Sequence, residues 1–202
     1  TGFDRIAHSQ GELAVARAAE RAGIPYSLST MGTRSMEEIA AVNDGRKWFQ
    51  VYVWRDKPLL KEMLERAAAS GFEGIMITVD TAVLGRRERD IRRGFSLPPQ
   101  VGLSTLIDGL RHPRWTLDFL RAEPIQFANV RGSATVGDGS TPVTLADYIN
   151  SQFDPSLSWK DIEWFRENWS GMMMIKGVQT VEDAEIAVDV GLDGVILSNH
   201  GG

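Results

Sequence analysis

The sequence predicts an α/β protein built on a parallel sheet, and three observations carry that prediction. Short apolar runs alternate with segments of helical period. The runs are continuously apolar, as strands covered by helices on both faces are. Each run ends in polar side chains, so one edge of the sheet collects them, and in barrels and open sheets alike that edge carries ligands.

The elements follow in order. Residues 12–21 are Ala-rich with helical period and precede the first run, 25–29. Ser35 with Glu38 has capping-box spacing and starts the next helix. The second run is 48–53. A helix over 57–70 follows, with Asp56 as N-cap and Gly71 as stop. The third run is 74–79. An insertion over 81–157 is too long for an ordinary loop between strand and helix. It holds an amphipathic segment, 103–120, broken at Pro113, and a polar stretch, Gly137-Asp138-Gly139-Ser140. Ser158 with Asp161 and Thr180 with Asp183 repeat the box-like helix start, and Gly171 and Gly191 read as the stops. Runs four and five are 172–175 and 194–197.

Composition excludes several classes. Lys and Arg total 22 against 27 Asp and Glu, a net charge of −5, which gives no electrostatic footprint for nucleic acid. There is no cysteine, so disulfides and thiolate metal sites are out, a reducing compartment fits, and no metal is expected. No apolar run approaches the ~20 residues that span a bilayer. The start, TGFDRIAHSQ, has no signal-peptide character and no initiator Met, which points to a natural start upstream.

The polar strand ends are Ser29 and Thr30, Gln50 and Tyr52, Thr78 and Asp80, Lys176 and Gly177, and Ser198 and His200. Singly, a Ser or Thr there reads as a turn or cap. Lys176 follows Met172-Met173-Met174-Ile175, so its stem is buried and its ammonium emerges at the rim. His8 and His112 read as structural. His200 differs, because it sits in Ser-Asn-His-Gly-Gly, where glycines let a ligand approach the backbone. Arg86-Arg87-Glu88-Arg89-Asp90 reads either as a solvated loop or as a two-arginine grip on a carboxylate.

Seven stretches then stand in one order: TGF, YSLSTMGTRSMEEI, WFQVYVWRD, TVDTAVLGRRERDIRRGF, LSWKDIEWF, IKGVQTVEDA and SNHGG. By them the sequence resembles the FMN-dependent α-hydroxy acid dehydrogenases and oxidases, among them glycolate oxidase, lactate dehydrogenase and mandelate dehydrogenase, with the lactate dehydrogenase branch nearest. The resemblance spans nearly the whole chain outside residues 100–155. It implies a (β/α)8 TIM barrel, of which five or six strands lie here, as one partial domain over 1–202 with 81–157 inserted in it. It also implies a fragment. In the family a second substrate-binding arginine and the FMN phosphate site follow SNHGG, and a substrate-binding tyrosine precedes the present start.

The chemistry implied by the resemblance is oxidation of a lactate-like L-α-hydroxy acid to the α-keto acid. FMN is reduced and then passes its electrons to a quinone, a cytochrome or O2. His200 is then the base, taking either the hydroxyl proton with hydride transfer to flavin N5 or the α-proton with a carbanion; the two stay open. Its ordinary pKa lies near working pH, which suits the task. Asp80 orients His200, Arg87 grips the substrate carboxylate ahead of its neighbour Arg86, and Tyr52 contacts substrate. Flavin contacts carry over to Thr1, Gly2, Ser29, Gln50, Thr78, Lys176 and Ser198. A cation at Lys176, beside the N1/O2 edge, stabilises the reduced anionic ring. Oxidases typically carry Ala at the Gly2 position, so Gly2 leans toward a dehydrogenase, and Met31 stands where some oxidases have Trp. The inserted region reads as an active-site lid with a small core. Its other reading is a peripheral membrane contact, with Leu103, Leu106, Ile107 and Leu110 on one face and Arg111, Arg114 and Arg121 scattered nearby. A cytoplasmic homotetramer, on the inner face of the membrane if that contact forms, completes the expectation. The alternatives are another barrel enzyme for a phosphate-bearing ligand, such as an isomerase, and a catalytically silent barrel fragment.

Overall fold

The computed structural model describes residues 2–81, 88, 92, 102–130, 151–154 and 156–200. Among them five strands form one sheet: β1 (Tyr26–Ser29), β2 (Lys47–Tyr52), β3 (Gly74–Thr78), β4 (Met172–Val178) and β5 (Gly194–Leu197). Every pairing is parallel and the spatial order is the chain order. Each new strand therefore joins the outer side of the last, without the order reversal of a doubly wound sheet.

The connecting helices are α1 (Asp4–Ala7), α2 (Glu12–Arg21), α3 (Met36–Ala40), α4 (Lys57–Ala69), α5 (Leu103–Arg111), α6 (Pro113–Arg121), α7 (Lys160–Asn168) and α8 (Val181–Asp189). Three of their starts carry side-chain caps. Ser35 accepts the Glu38 N–H at 3.1 Å and Glu38 takes the Ser35 N–H at 2.7 Å, a complete capping box. Asp56 accepts the Leu59 N–H at 2.9 Å, and Thr180 accepts the Asp183 N–H at 3.1 Å. Arg66 of α4 forks onto Glu37 of α3 and holds that carboxyl down to about 2.

Strand alternation splits the sheet into two faces. Phe49, Val51, Ile75, Ile77, Met173 and Ile175 face the helices and are buried in one core with Leu59, Leu60, Met63, Leu64 and Ala67 of α4 and Ile162 and Phe165 of α7. The intervening residues Gln50, Tyr52, Met76, Thr78, Met174 and Lys176 line the other face. That face carries most of the polar side chains of the strands.

Two expectations need correction. The fourth strand runs past Ile175 through Lys176 and Gly177 to Val178; polar residues ended the apolar run, but the ladder continues. Gly171 does not stop α7. The helix already ends at Asn168 with an extended Trp169, and Gly171 is needed because a Cβ there would sit 2.6 Å from the Glu73 carbonyl. Gly191, with φ +76, does close α8, and Gly71, with φ +73, closes α4. Pro113 breaks the amphipathic segment as expected, by becoming the first residue of α6. The short helix α1 was not foreseen.

Candidate active site

Asp80 lies just beyond β3 with its side chain only 4% exposed, and it is shared. Oδ1 is 2.7 Å from His200 Nδ1, and Oδ2 is 3.2 Å from Lys176 Nζ. Lys176 Nζ is also 3.4 Å from His200 Nδ1. Both of those nitrogens cannot donate to each other, so the shorter carboxylate contact decides the tautomer. Nδ1–H donates to Asp80, Lys176 donates to Asp80, and Nε2 is left with its lone pair. The arrangement fixes the neutral imidazole ring at Nδ1.

The backbone is shaped for this cluster. Gly177 has φ +109, and a Cβ on it would lie 2.6 Å from Asp80 Cβ. Only glycine lets β4 pass that close to Asp80. His200 itself has φ +61, an uncommon conformation for a residue with a side chain. Its N–H donates to Ser198 Oγ at 3.0 Å, which holds the turn. Strain of this kind is commonly stored where a side chain must be aimed.

Beside the cluster runs a polar row. Ser29 Oγ donates to Gln50 Oε1 at 3.0 Å, and Gln50 Nε2 donates to Thr78 Oγ1 at 2.8 Å. Ser29 Oγ accepts the Met31 N–H at 3.1 Å, and Thr30 Oγ1 donates to the Gln50 carbonyl at 2.7 Å. The ladder register explains the row: Ser29 pairs with Gln50, and Tyr52, Thr78 and Lys176 share one level. Tyr52 stacks on His200, ring centroids 6.5 Å apart at 22°.

The structure thus brings His200, Asp80, Lys176 and Tyr52 together, and sets Ser29, Gln50 and Thr78 in a row on the same rim. Ser198 joins through His200. Gly2 lies against the loop after β1, where Phe3 N–H donates to the Met31 carbonyl at 3.2 Å. Thr1, Arg86 and Arg87 lie outside the described residues. Sequence reasoning missed three things. One is the Lys176–Asp80 ion pair, and another is Phe153, packed edge-on against Tyr52 at 5.2 Å. The third is Glu12, fully buried on the amphipathic helix α2, where it accepts the Thr33 N–H and hydroxyl, each at 2.6 Å. Its only sequence signal is an acid at the first helical position. Burial, and secondarily the Glu12 charge, pushes the Tyr26 phenol and the Asp4 carboxyl up.

These residues fit the isoalloxazine ring of FMN. The row of hydroxyls and a carboxamide offers donors and acceptors to a heteroaromatic edge, and Lys176 brings a cation. At Gly2 a Cβ would sit 2.8 Å from Met31 Cβ and 2.9 Å from its carbonyl, so only glycine lets the chain pack this closely on the loop after β1. Among the described residues no group of His, Cys, Asp and Glu is arranged to hold a metal ion.

Comparison with known proteins identifies the family. The family profile described as FMN-dependent dehydrogenase matches residues 1–202. A Mycobacterium tuberculosis protein with a provisional L-lactate dehydrogenase name is 47% identical over 203 residues, covering 100% of this chain and 47% of the relative. The L-lactate dehydrogenase of Vibrio parahaemolyticus is 43% identical over 197 residues, covering 96% and 50%. Among solved structures, the monotopic membrane protein (S)-mandelate dehydrogenase superposes with a TM-score of 0.92 at 40% identity, covering 100% of this chain and 53% of that one. A mandelate oxidase superposes at 0.74 with 37% identity, over 100% and 48%. The chain spans about half the length of the curated relatives it matches, and its five parallel strands are part of the family's TIM barrel. The chain belongs to the FMN-dependent dehydrogenase family.

Proposed function

We propose that the protein oxidises an L-α-hydroxy acid of the lactate and mandelate class to the α-keto acid. The observation that carries the reading is the 2.7 Å contact between Asp80 and His200 Nδ1 at the rim of the sheet, beside the polar row. FMN, when bound, accepts the two electrons. His200 Nε2 receives the substrate proton, and Asp80 holds the imidazole in the required tautomer and offsets the charge that proton brings. Tyr52 and Arg87 bind the substrate, Arg87 gripping its carboxylate. Ser29, Gln50, Thr78 and Ser198, with the Thr1–Gly2 backbone, hold the cofactor, and Lys176 supplies positive charge to it. The electrons leave to a quinone, a cytochrome or O2, with a dehydrogenase favoured.

The reading extends to assembly and location. The helices α5 and α6 carry Leu106, Ile107, Leu110, Leu117 and Leu120 exposed. No described helix is long and apolar enough to cross a membrane. A face of this kind suits lying on a bilayer, and a structural neighbour is described as a monotopic membrane protein. We take the α5–α6 pair as a peripheral membrane contact on a cytoplasmic, homotetrameric protein. The 202-residue chain alone is taken to be silent, because by the family resemblance the second substrate-binding arginine and the FMN phosphate site belong to the segment that follows SNHGG; among the described residues β1 and β5 are the outer strands of the sheet, and Leu197 is 76% exposed.

The test is anaerobic flavin bleaching. L-Lactate or (S)-mandelate should bleach the FMN-loaded holoenzyme, their enantiomers should not, and residues 1–202 alone should show no reaction. An enzyme that stays oxidised with every L-α-hydroxy acid offered would end the proposal.

A further inference from the structure

Tyr52, at the C-terminal end of β2, touches two aromatic rings. One is His200. The other, Phe153, meets it edge-on at 5.2 Å and 77°. Phe153 is carried neither by a strand of the sheet nor by a helix that covers it. It arrives at the far end of the inserted region, and its backbone is clamped to the turn that leaves Tyr52. Phe153 forms an isolated antiparallel bridge with Trp54. Its neighbour Gln152 then takes the next two amides: the carbonyl accepts Arg55 N–H at 3.0 Å, and Oε1 accepts Asp56 N–H at 3.0 Å. Asp56 in turn caps α4, and Trp54 is fully buried. Residues 152–153 are thus fixed to rigid parts of the barrel at three consecutive positions. From that fixed point Phe153 lays its ring on Tyr52.

We infer that Phe153 is a positioning residue for Tyr52. A tyrosine at a strand end can swing about two side-chain torsions. An edge-to-face partner on a clamped backbone weights one ring orientation over the others by about three- to tenfold. The Tyr52 hydroxyl then keeps one position relative to His200, and substrate meets a prearranged pair. Residues 152–153 thereby act on the substrate through Tyr52, since whatever shifts them shifts Tyr52. The inference rests on the α-hydroxy acid reading above, in which Tyr52 binds substrate.

The experiment is a double-mutant cycle in the FMN-loaded holoenzyme, with Phe153→Ala, Tyr52→Phe and the double variant. Phe153→Leu, which keeps apolar volume, guards against misfolding, and flavin content and melting temperature are followed for all. Two quantities are read: the kcat and KM for L-lactate, and the Kd of pyruvate from its perturbation of the flavin absorbance. Phe153→Ala should raise KM and the pyruvate Kd about three- to tenfold, raising KM by more than it lowers kcat, with Phe153→Leu in between. In the Tyr52→Phe background the same change should shift Kd less than about twofold, because the hydroxyl to be positioned is gone. Equal shifts in both backgrounds would make Phe153 a packing residue and overturn the inference, as would an unchanged Kd in Phe153→Ala. The pyruvate titration needs no turnover. A protein that binds FMN and pyruvate but oxidises no hydroxy acid would therefore sink the proposed reaction while still deciding this one.

Discussion

Asp80 can serve His200 and Lys176 at once because the residue opposite it has no side chain. That dependence gives a sharp expectation for Gly177→Ala. The new Cβ would fall within 2.6–2.9 Å of Asp80 Cβ, Cγ and N, on a backbone with φ +109. Strain and displacement of this kind cost roughly 1–3 kcal/mol. Because the cost falls on the carboxylate that orients His200, flavin reduction by L-lactate should slow at least about tenfold with FMN still bound. Rapid-mixing absorbance at the flavin band measures it, and a rate within twofold of the parent would show that Asp80 does not need its present position. The sequence displayed the actors clearly: Asp80, Lys176 and His200 stand at successive strand ends. It could not display the sharing, because a carboxylate's second partner depends on how far two strands curve toward each other. Glu12 was illegible for a related reason. An acid on an amphipathic helix reads as solvated, and only the loop from Met31 to Thr33 folding back over it turns it into a buried acceptor.

Elements were legible where a local signal and the tertiary context agreed. The capping box at Ser35, the Asp56 cap and the left-handed glycines 71 and 191 each state a boundary in covalent terms. Where a residue served two purposes the reading failed. Lys176 and Gly177 are polar or flexible by type and still lie within β4, and Gly171 is small for a close backbone approach rather than for a helix end. Among the described residues, the α5–α6 pair carries seven exposed large apolar side chains, Leu106, Ile107, Leu110, Trp115, Leu117, Phe119 and Leu120. Leu110 is 81% and Leu120 73% exposed, and Arg111, Arg114 and Arg121 lie on the same pair. The pair is tied to the body through Trp115 Nε1–H donating to the Ile6 carbonyl at 2.9 Å and Ser9 N–H donating to Asp118 at 3.2 Å. If it docks on a bilayer, the holoenzyme should pellet with vesicles of phosphatidylcholine and phosphatidylglycerol. Leu110→Asp with Leu120→Asp should lower that partition by about a hundredfold or more, since each leucine buried in lipid contributes roughly 1.5–3 kcal/mol. Equal pelleting by the parent and the double variant would remove the helix pair from the contact.

At the scale of the whole molecule, the architecture explains why the polar side chains collect where they do. A parallel sheet whose strands add in chain order puts every strand's C-terminal end on one rim. Residues 29, 50, 78, 80, 176 and 200, far apart in sequence, become neighbours through that single geometric rule. The rule was readable from the sequence, whereas the curvature that closes Asp80 onto His200 at 2.7 Å was not. The apolar residues Leu197, Val181 and Val188 lie exposed near β5 and α8, at an outer strand of the described sheet. The central claim is that this rim does its chemistry through His200, and one measurement addresses it most directly. In the FMN-loaded holoenzyme, His200→Ala should retain FMN at the parent's stoichiometry, because the Ser29–Gln50–Thr78 row proposed to hold the cofactor is untouched. L-Lactate should then bleach the flavin at least about a hundredfold more slowly, the lower end of what a general base contributes. Full FMN occupancy with bleaching near the parent's rate would contradict the account, and the proton would have to leave by another group.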